Sequence, residues 1–209
     1  MKFKAILIDF DNTIIGSERY NHAIFLEEMS KLAGRQLTME DSKHFAGHTW
    51  KGIFQILSEK FISNMAPEDI RKVFVDAKTE YFRSNSAPVA WGLDQILALD
   101  IKKGIVTGSS RPEVDMFAHL MDLSKFDLIA SDELYDRGKP APDGYLYAIE
   151  KFGVEPSDCI CIEDSVIGIQ SAKAAGCKTV FTREFSDDDH SGIADYTINR
   201  LGDIISLLN

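Results

Sequence analysis

Two aspartates lie two residues apart directly after an apolar run near the start of the chain. Residues 6–8 are Ile-Leu-Ile, Asp9 and Asp11 follow, and Thr13 comes next. The two-residue period of a strand would put both carboxylates on one side at its end. Two such carboxylates repel each other unless a divalent cation lies between them or one stays protonated to act as an acid. This pattern is typical of an aspartate nucleophile, with a solvated aspartate turn as the alternative.

Three later segments also place polar residues after apolar runs or in nearby loops. Thr107 and Gly108 follow an apolar run and could hold a phosphate through a hydroxyl and a backbone N–H, although such a sequence also forms ordinary turns. Lys139 lies between a glycine and a proline, which restrict its loop, as in many surface turns. Glu163 and Asp164 precede an apolar helical segment, where acids can also serve to complement the helix dipole.

The composition favours one core with a smaller insertion. The chain has 209 residues, 44% apolar residues and a formal net charge of -10, without a Lys/Arg cluster. These features argue against nucleic-acid and membrane-surface partners and favour a small ligand. Because no apolar run approaches a membrane span and no leader pattern is evident, we expect a cytoplasmic protein. We expect the cysteines to be small buried side chains, not a zinc or redox site: Cys159, Cys161 and Cys177.

Short β-rich runs alternate with helical stretches after residue 91, which predicts an α/β fold with a parallel sheet. The predicted strands are Ala5–Asp9, Gly104–Thr107, Leu128–Ala130, Cys159–Glu163, Thr179–Thr182 and Tyr196–Ile198.

Residues 17–84 have a helical pattern, and we expect them to be inserted between the first strand and the rest of the core. The helix signals are an apolar period that ends at Gly34 and a first helical turn at Pro67. The predicted helix that begins at Pro67 carries an apolar stripe of Ile70, Val73, Phe74, Ala77 and Tyr81. The predicted domains are therefore a core of residues 1–16 and 85–209 and a helical cap of residues 17–84. An insertion at the carboxyl end of a strand is placed to act as a lid.

The order of these segments carries more weight than any one of them. The chain resembles the haloacid dehalogenase-like hydrolase superfamily, whose pattern is matched by Asp9-x-Asp11-x-Thr13, Thr107, Gly138-Lys139-Pro140-x-Pro142-Asp143 and Glu163-Asp164-Ser165 with Gly168. The resemblance covers nearly the whole core. It is to the branch with a small helical cap, which includes phosphoglycolate phosphatases, sugar-phosphate phosphatases and β-phosphoglucomutase, and it implies a Rossmann-like core.

The resemblance implies a role for each motif residue. Asp9 would attack a phosphoryl group and form an aspartyl phosphate, and Asp11 would act as acid and then base. Thr107 and Lys139 would hold the phosphoryl oxygens. The cofactor would be Mg²⁺, and its implied ligands are the Asp9 carboxylate, the Asp11 backbone carbonyl and Asp164, with Glu163 close by. The partner would be a small phosphorylated metabolite.

Departures from the family pattern separate the possible reactions. Dehalogenases lack an acid at the position of Asp11, so dehalogenation is disfavoured. The cap histidine and arginine of the mutases fall on Asn21 and Trp50, which favours a phosphatase over a phosphosugar mutase. Phosphonate hydrolysis would need a cap lysine, and the candidates are Lys51 and Lys78. A non-catalytic binding protein is disfavoured because the nucleophile, the acid and the lysine are all present.

Substrate choice is expected to reside in the cap, where motifs are fewest. The candidate leaving-group contacts are Asn21, His48, Thr49, Trp50, Lys51 and Lys78. Trp50 could instead be a packing residue, and a solvated helix face is the preferred interpretation of Lys78. His22 would replace Asn21 as the inward residue if the helix were rotated by one position.

Overall fold

The computed structural model describes residues 2–45, 48, 50–186 and 189–208. It contains a six-stranded, fully parallel sheet, which confirms the predicted α/β fold. The strands are β1 (Ala5–Ile8), β2 (Lys102–Val106), β3 (Leu128–Ala130), β4 (Cys159–Glu163), β5 (Lys178–Thr182) and β6 (Tyr196–Ile198).

The strands lie in the order β3-β2-β1-β4-β5-β6. The chain moves outward from β1 in one direction through β2 and β3, and in the other through β4, β5 and β6. The strand order therefore reverses between β1 and β4. In open α/β sheets, the carboxyl ends of the strands at such a reversal form the usual binding crevice.

The central strands β1 and β4 are buried along their whole length, as expected for a parallel sheet covered on both faces. Their side chains pack with the helix that precedes β4 and the helix that follows it, in a cluster that includes Leu7, Tyr145, Phe152, Cys161 and Ala172. All three cysteines are buried there, as predicted.

The chain divides into two compact units, one of residues 1–17 and 86–209 and one of residues 18–85. The first unit holds the sheet and, among the described residues, four α-helices and shorter 3₁₀ segments. The α-helices are α5 (Leu93–Leu97), α6 (Arg111–Asp115), α7 (Asp143–Phe152) and α8 (Val166–Ala174), and the 3₁₀ segments are Leu123–Lys125, Asp132–Leu134, Pro156–Asp158 and Leu201–Leu207.

The second unit is helical throughout its described elements: α1 (Glu18–Ala33), α2 (Met39–Ser42), α3 (Trp50–Lys60) and α4 (Pro67–Ser84). Helix α1 stops before Gly34, whose φ of 65° is a left-handed conformation that glycine adopts without strain. Helix α4 begins at Pro67, which needs no backbone N–H donor in a first helical turn.

Helix α4 fully buries only part of the predicted apolar stripe: Ile70 and Phe74 are buried, whereas Val73, Ala77 and Tyr81 are half-buried. Its buried positions are Ile70, Phe74, Lys78 and Phe82, which recur every four residues. Lys78 is only 5% exposed, so the interpretation of this residue as part of a solvated face is wrong. Its ammonium lies 5.3 Å from the centre of the Phe74 ring, which shows that the long aliphatic part of a lysine can occupy an apolar stripe.

Among the residues that the structure describes, no helix combines the length and the apolar composition needed to cross a bilayer.

Candidate active site

The sheet places four of the motif residues at the carboxyl ends of neighbouring strands. Asp9 directly follows β1, and its N–H donates a 3.0 Å hydrogen bond to the carbonyl of Ile162 in β4. Glu163 is the last residue of β4, and Asp164 comes next. Thr107 follows β2 on the other side of β1. The reversal of strand order therefore lies directly beneath the paired acids.

Lys139 reaches this point from the loop that precedes α7. Its ammonium lies 2.5 Å from Oδ1 of Asp9 and 2.6 Å from Oε1 of Glu163. It also donates a 3.1 Å hydrogen bond to the carbonyl of Val106 at the end of β2. The loop is attached to α8 by the Ser171 hydroxyl, which donates a 2.6 Å hydrogen bond to the Ala141 carbonyl. The lysine thus contacts the ends of β1, β2 and β4 together.

Burial of these charges shifts their pKa values. Burial raises the pKa of Asp9 to about 7, an effect that the Lys139 ammonium opposes and the Glu163 carboxylate increases. Burial would lower the pKa of Lys139, but Asp9 and Glu163 outweigh it and raise that pKa above its ordinary value. Lys139 is therefore a permanent cation, and it partly compensates a site with excess negative charge.

Three carboxylates form a cluster with the composition of a metal site. Ligand oxygens of Asp9, Glu163 and Asp164 all lie within 4.8 Å of one another. One ammonium cannot balance three carboxylates, and such a donor set suits a hard divalent cation such as Mg²⁺. The raised pKa of Asp9 has the same physical origin, a buried negative charge that is incompletely compensated. The residues present therefore fit a divalent cation.

Glu163 is the most deeply buried acid of the cluster, with 1% of the residue exposed. Its Oε1 accepts a 2.5 Å hydrogen bond from the Tyr145 hydroxyl in addition to the contact with Lys139. On its other side, Oε2 faces Gly168 in α8. A Cβ atom added to Gly168 would lie 1.9 Å from this oxygen, far inside any allowed contact. Gly168 is thus needed for the close approach of the helix to the carboxylate.

Asp11 lies outside the carboxylate cluster and has different partners. The hydroxyl of Ser17 donates to its Oδ1 at 2.6 Å, and that of Ser109 donates to its Oδ2 at 2.7 Å. Between the two aspartates the chain turns sharply, because Asn12 has a φ of 57°, a left-handed value that asparagine tolerates better than most residues. The two acids of the motif therefore occupy separate environments.

Thr107 is 1% exposed, and the loop around it is well anchored. Its N–H donates to the Ala130 carbonyl at 3.0 Å, and its Oγ1 accepts a 3.0 Å hydrogen bond from the Ser109 N–H. The Tyr135 hydroxyl donates to its carbonyl at 2.5 Å. Gly108 is exposed, and the position of an added Cβ has no atom within 4 Å. Room is thus available beside the Gly108 backbone.

The candidate contacts in the helical unit differ in burial. Asn21 is buried, and its Oδ1 has no hydrogen-bond partner among the residues described, whereas the neighbouring His22 is exposed. The alternative in which His22 replaces Asn21 as the inward residue of α1 is therefore wrong. His48 and Lys51 are exposed, and Lys78 is buried.

Trp50 is 46% exposed and forms part of an aromatic group. Its ring stacks on Phe74 at 5.1 Å between centroids and meets Phe25 edge-on at 5.6 Å. Packing in this aromatic group therefore accounts for one face of the Trp50 ring. Thr49, the remaining candidate, lies outside the described residues.

Sequence reasoning missed three polar residues of the site. Tyr145 contacts Glu163 from a helix that begins 20 residues earlier in the chain, and Ser109 contacts Asp11 across 98 residues. No local pattern marks such contacts. The only available signal for Ser17 was its position four residues after Thr13, at the end of the first motif segment.

Comparison with known proteins agrees with this geometry. The model of the haloacid dehalogenase-like hydrolase family matches residues 6–182. The chain is 25% identical to phosphoglycolate phosphatase of Aquifex aeolicus, over 99% of this chain and 97% of that protein. It is 27% identical to the fructose-1-phosphate phosphatase YqaB of Escherichia coli, over 87% and 97%.

Two further similarities concern the extent of the fold. The chain is 26% identical, over 86% of its length, to Protein SUPPRESSOR OF QUENCHING 1 of Arabidopsis thaliana, but it spans only 18% of that protein. The crystal structure of CbbY from Rhodobacter sphaeroides with phosphate superimposes with a TM-score of 0.84 at 21% identity, over 97% of this chain and 96% of that one. This second similarity shows the fold alone.

The chain belongs to the haloacid dehalogenase-like hydrolase family, because the family model covers most of its length. The named phosphatases among its relatives, similar along nearly their whole length, support an enzyme of the phosphatase class.

Proposed function

We propose that this phosphatase hydrolyses a small phosphorylated metabolite through an aspartyl phosphate on Asp9. The observation that carries the proposal is the position of Asp9. It is a buried carboxylate at the reversal of strand order, 2.5 Å from the Lys139 ammonium and within a cluster of three acids. A nucleophile for a phosphoryl group has to be fixed in such a place, beside cations that offset its charge.

The reaction would take place in two displacements. In the first, an Asp9 oxygen forms a bond to phosphorus while the bond from phosphorus to the leaving oxygen breaks, and Asp11 gives its proton to that oxygen. In the second, Asp11 takes a proton from a water molecule that attacks phosphorus, and the bond to Asp9 breaks. Inorganic phosphate is released and Asp9 is restored.

Charge on the transferring phosphoryl group would be stabilised by residues of two loops. Lys139 would contribute a fixed cation, and the Thr107 hydroxyl and the Gly108 N–H would contribute hydrogen bonds to phosphoryl oxygens. Lys139 is already held by two acids, so its position does not have to be set during the reaction. The hydroxyls of Ser17 and Ser109 would hold the Asp11 carboxyl group in place while it gives its proton to the leaving oxygen and later takes one from water.

A divalent cation, proposed to be Mg²⁺, would be held by the carboxylates of Asp9 and Asp164 and the backbone carbonyl of Asp11, with Glu163 adjacent. When bound, it would supply positive charge that offsets the carboxylates and the phosphoryl oxygens.

The substrate is proposed to be a sugar phosphate or a phosphoglycolate-like ester. The relatives named as a phosphoglycolate phosphatase and a fructose-1-phosphate phosphatase support this class. The leaving group would be selected by side chains of the helical unit, for which the candidates are Asn21, His48, Trp50, Lys51 and Lys78. Asn21 is the strongest of these, because its buried Oδ1 has no hydrogen-bond partner among the described residues.

Phosphate release from a panel of phosphoglycolate, sugar phosphates and small phosphomonoesters tests the proposal. We expect release with Mg²⁺, none with EDTA, and none from Asp9→Asn under either condition. The matched control is Asp94→Asn, an exposed aspartate on α5, which should retain wild-type activity. A label transferred from a ³²P-labelled substrate should remain on acid-quenched wild-type protein but not on Asp9→Asn.

Full activity of Asp9→Asn would contradict the assignment of the nucleophile. Isomerisation of a phosphosugar without release of phosphate would instead support a mutase.

A further inference from the structure

The Tyr145 hydroxyl is an unusual group to find beside the acid cluster. Tyr145 is fully buried on α7, and its hydroxyl donates a 2.5 Å hydrogen bond to Oε1 of Glu163. A phenol, with an ordinary pKa of about 10, keeps its proton at neutral pH, so the Tyr145 hydroxyl is the donor and the Glu163 carboxylate is the acceptor. The steps proposed above for hydrolysis do not use this group.

Glu163 is held on three sides. Its Oε1 accepts from Tyr145 and contacts the Lys139 ammonium at 2.6 Å. Its Oε2 lies against the backbone of Gly168, where an added Cβ would come within 1.9 Å, and 3.5 Å from the Ser165 hydroxyl. The carboxylate therefore cannot rotate away from Lys139 without losing a buried hydrogen bond or entering the helix.

Lys139 connects this anchor to the nucleophile. Its ammonium has three protons to donate, and it has three acceptors: Asp9 at 2.5 Å, Glu163 at 2.6 Å and the Val106 carbonyl at 3.1 Å. Tyr145, Glu163, Lys139 and Asp9 thus form one continuous chain of contacts. Displacement of Glu163 would leave the ammonium with two partners and change its position relative to Asp9.

We propose that Tyr145 is a positioning residue that fixes Glu163 as the anchor of Lys139, so that Glu163 affects phosphoryl transfer through the lysine and is not a direct ligand of the cation. The inference rests on the proposed function, since it assigns Lys139 to the phosphoryl group. Outer partners of this kind change rates by about 10- to 100-fold when removed, although they touch no reacting atom.

The test compares Tyr145→Phe with Tyr147→Phe. Tyr147 lies two residues further along α7 and is only partly buried against the same core, so its substitution removes an equivalent hydroxyl away from the acids. We expect Tyr145→Phe to lower kcat by about 10-fold or more, with KM changed less than about threefold. Tyr147→Phe should retain wild-type kinetics. Thermal unfolding of both variants shows whether each is folded.

Binding of Mg²⁺ to each protein, measured by calorimetry without substrate, separates positioning from metal ligation. Tyr145→Phe changes no charge, so we expect its Kd for Mg²⁺ to stay within about twofold of the wild type. Asp164→Asn should raise the Kd by about 10-fold or more, because it alters a proposed ligand. If Tyr145→Phe does not fold, Glu163→Gln provides the second test, with a fall in kcat and a smaller rise in Kd than Asp164→Asn.

An unchanged kcat in Tyr145→Phe, or a Kd raised as far as that of Asp164→Asn, would overturn the inference. Failure of the proposed function would be recognised separately, as wild-type protein that releases no phosphate or as Asp9→Asn that still does.

Discussion

Substitution of Gly168 by alanine should destabilise the protein, although the same change stabilises most helices. The Cβ atom would lie 1.9 Å from Oε2 and 2.1 Å from Cδ of Glu163. A normal contact needs about 3.5 Å, so the carboxylate would have to retreat by about 1.5 Å. A shift of this size cannot keep both the 2.5 Å hydrogen bond from Tyr145 and the 2.6 Å ion pair with Lys139 in place.

The expected loss follows from these two contacts. Each hydrogen bond to a buried charged group contributes about 1.5–3 kcal/mol to the free energy of unfolding, so their loss costs about 3–6 kcal/mol. Alanine returns at most about 1 kcal/mol through its higher helix propensity. The free energy of unfolding should therefore fall by about 2–5 kcal/mol, which corresponds to a decrease in Tm of about 4–20 °C for a chain of this size.

Urea unfolding followed by circular dichroism measures this difference. The control is Gly192→Ala, an exposed position where an added Cβ has no neighbour within 4 Å, and it should leave stability within about 0.5 kcal/mol of the wild type. The decisive result is whether Gly168→Ala lowers or raises the free energy of unfolding. If Gly168→Ala is as stable as the wild type or more so, α8 and Glu163 are not in the close contact described here.

Three further results are expected. Ser17→Ala and Ser109→Ala should each lower kcat by about 10-fold with little change in KM, because each removes one hydrogen bond to Asp11. Steady-state kinetics checks this, with Ser206→Ala as the control. Mg²⁺ at 100 times its Kd should raise the free energy of unfolding by about 2.7 kcal/mol over protein in EDTA, measured by urea titration, and Asp164→Asn should reduce this gain to about 1.4 kcal/mol or less at the same Mg²⁺ concentration. Asp195→Asn should lower stability at pH 7 by about 1–2 kcal/mol, and this difference should shrink as pH falls from about 4 to about 2.

The sign of the Asp195 effect follows from its pKa. Burial raises the pKa of this carboxyl, but hydrogen bonds from the N–H and hydroxyl of Thr179 and from Lys178 outweigh it and lower the pKa to about 2. The folded state thus favours the charged form, whose contribution is complete above the unfolded pKa and is lost as pH falls through the folded one. A difference from the wild type that stays constant between pH 4 and pH 2 would show that these contacts do not favour the ionised form.

The strands could be predicted because each is an apolar run that ends in polar residues. The predicted and observed limits agree for β3, β4 and β6 and differ by at most two residues elsewhere. The largest difference is at the start of β2, where Lys102 and Lys103 resemble a loop. Lys103 is nevertheless buried, because its ammonium donates to the carbonyls of Leu99 and Ile101 at 2.8 and 2.7 Å. Burial of a lysine that uses backbone acceptors cannot be inferred from its type.

Contacts between distant segments could not be predicted for a related reason. The hydroxyl of Ser109 meets Asp11 only because β1 and β2 are paired with Ile8 opposite Ile105, and that register is not visible in either segment alone. Tyr145 likewise reads as one more apolar residue of α7, although its hydroxyl ends at Glu163. Asp11 and Glu163 belong to recognisable motifs. Ser109 and Tyr145, which contact them, do not.

The first two acids show how much the tertiary environment adds to a motif. Spacing alone predicts that Asp9 and Asp11 repel each other and leaves open whether a cation or a proton relieves the repulsion. The structure separates the two acids by their partners: a buried ammonium and two more carboxylates for Asp9, and two neutral hydroxyls for Asp11. Burial raises the pKa of Asp9 to about 7 in spite of the Lys139 ammonium, so further positive charge, such as the proposed divalent cation, would keep this carboxylate ionised for attack at neutral pH. These different surroundings support the proposal that Asp9 is the nucleophile and Asp11 the proton carrier, two residues apart in the chain.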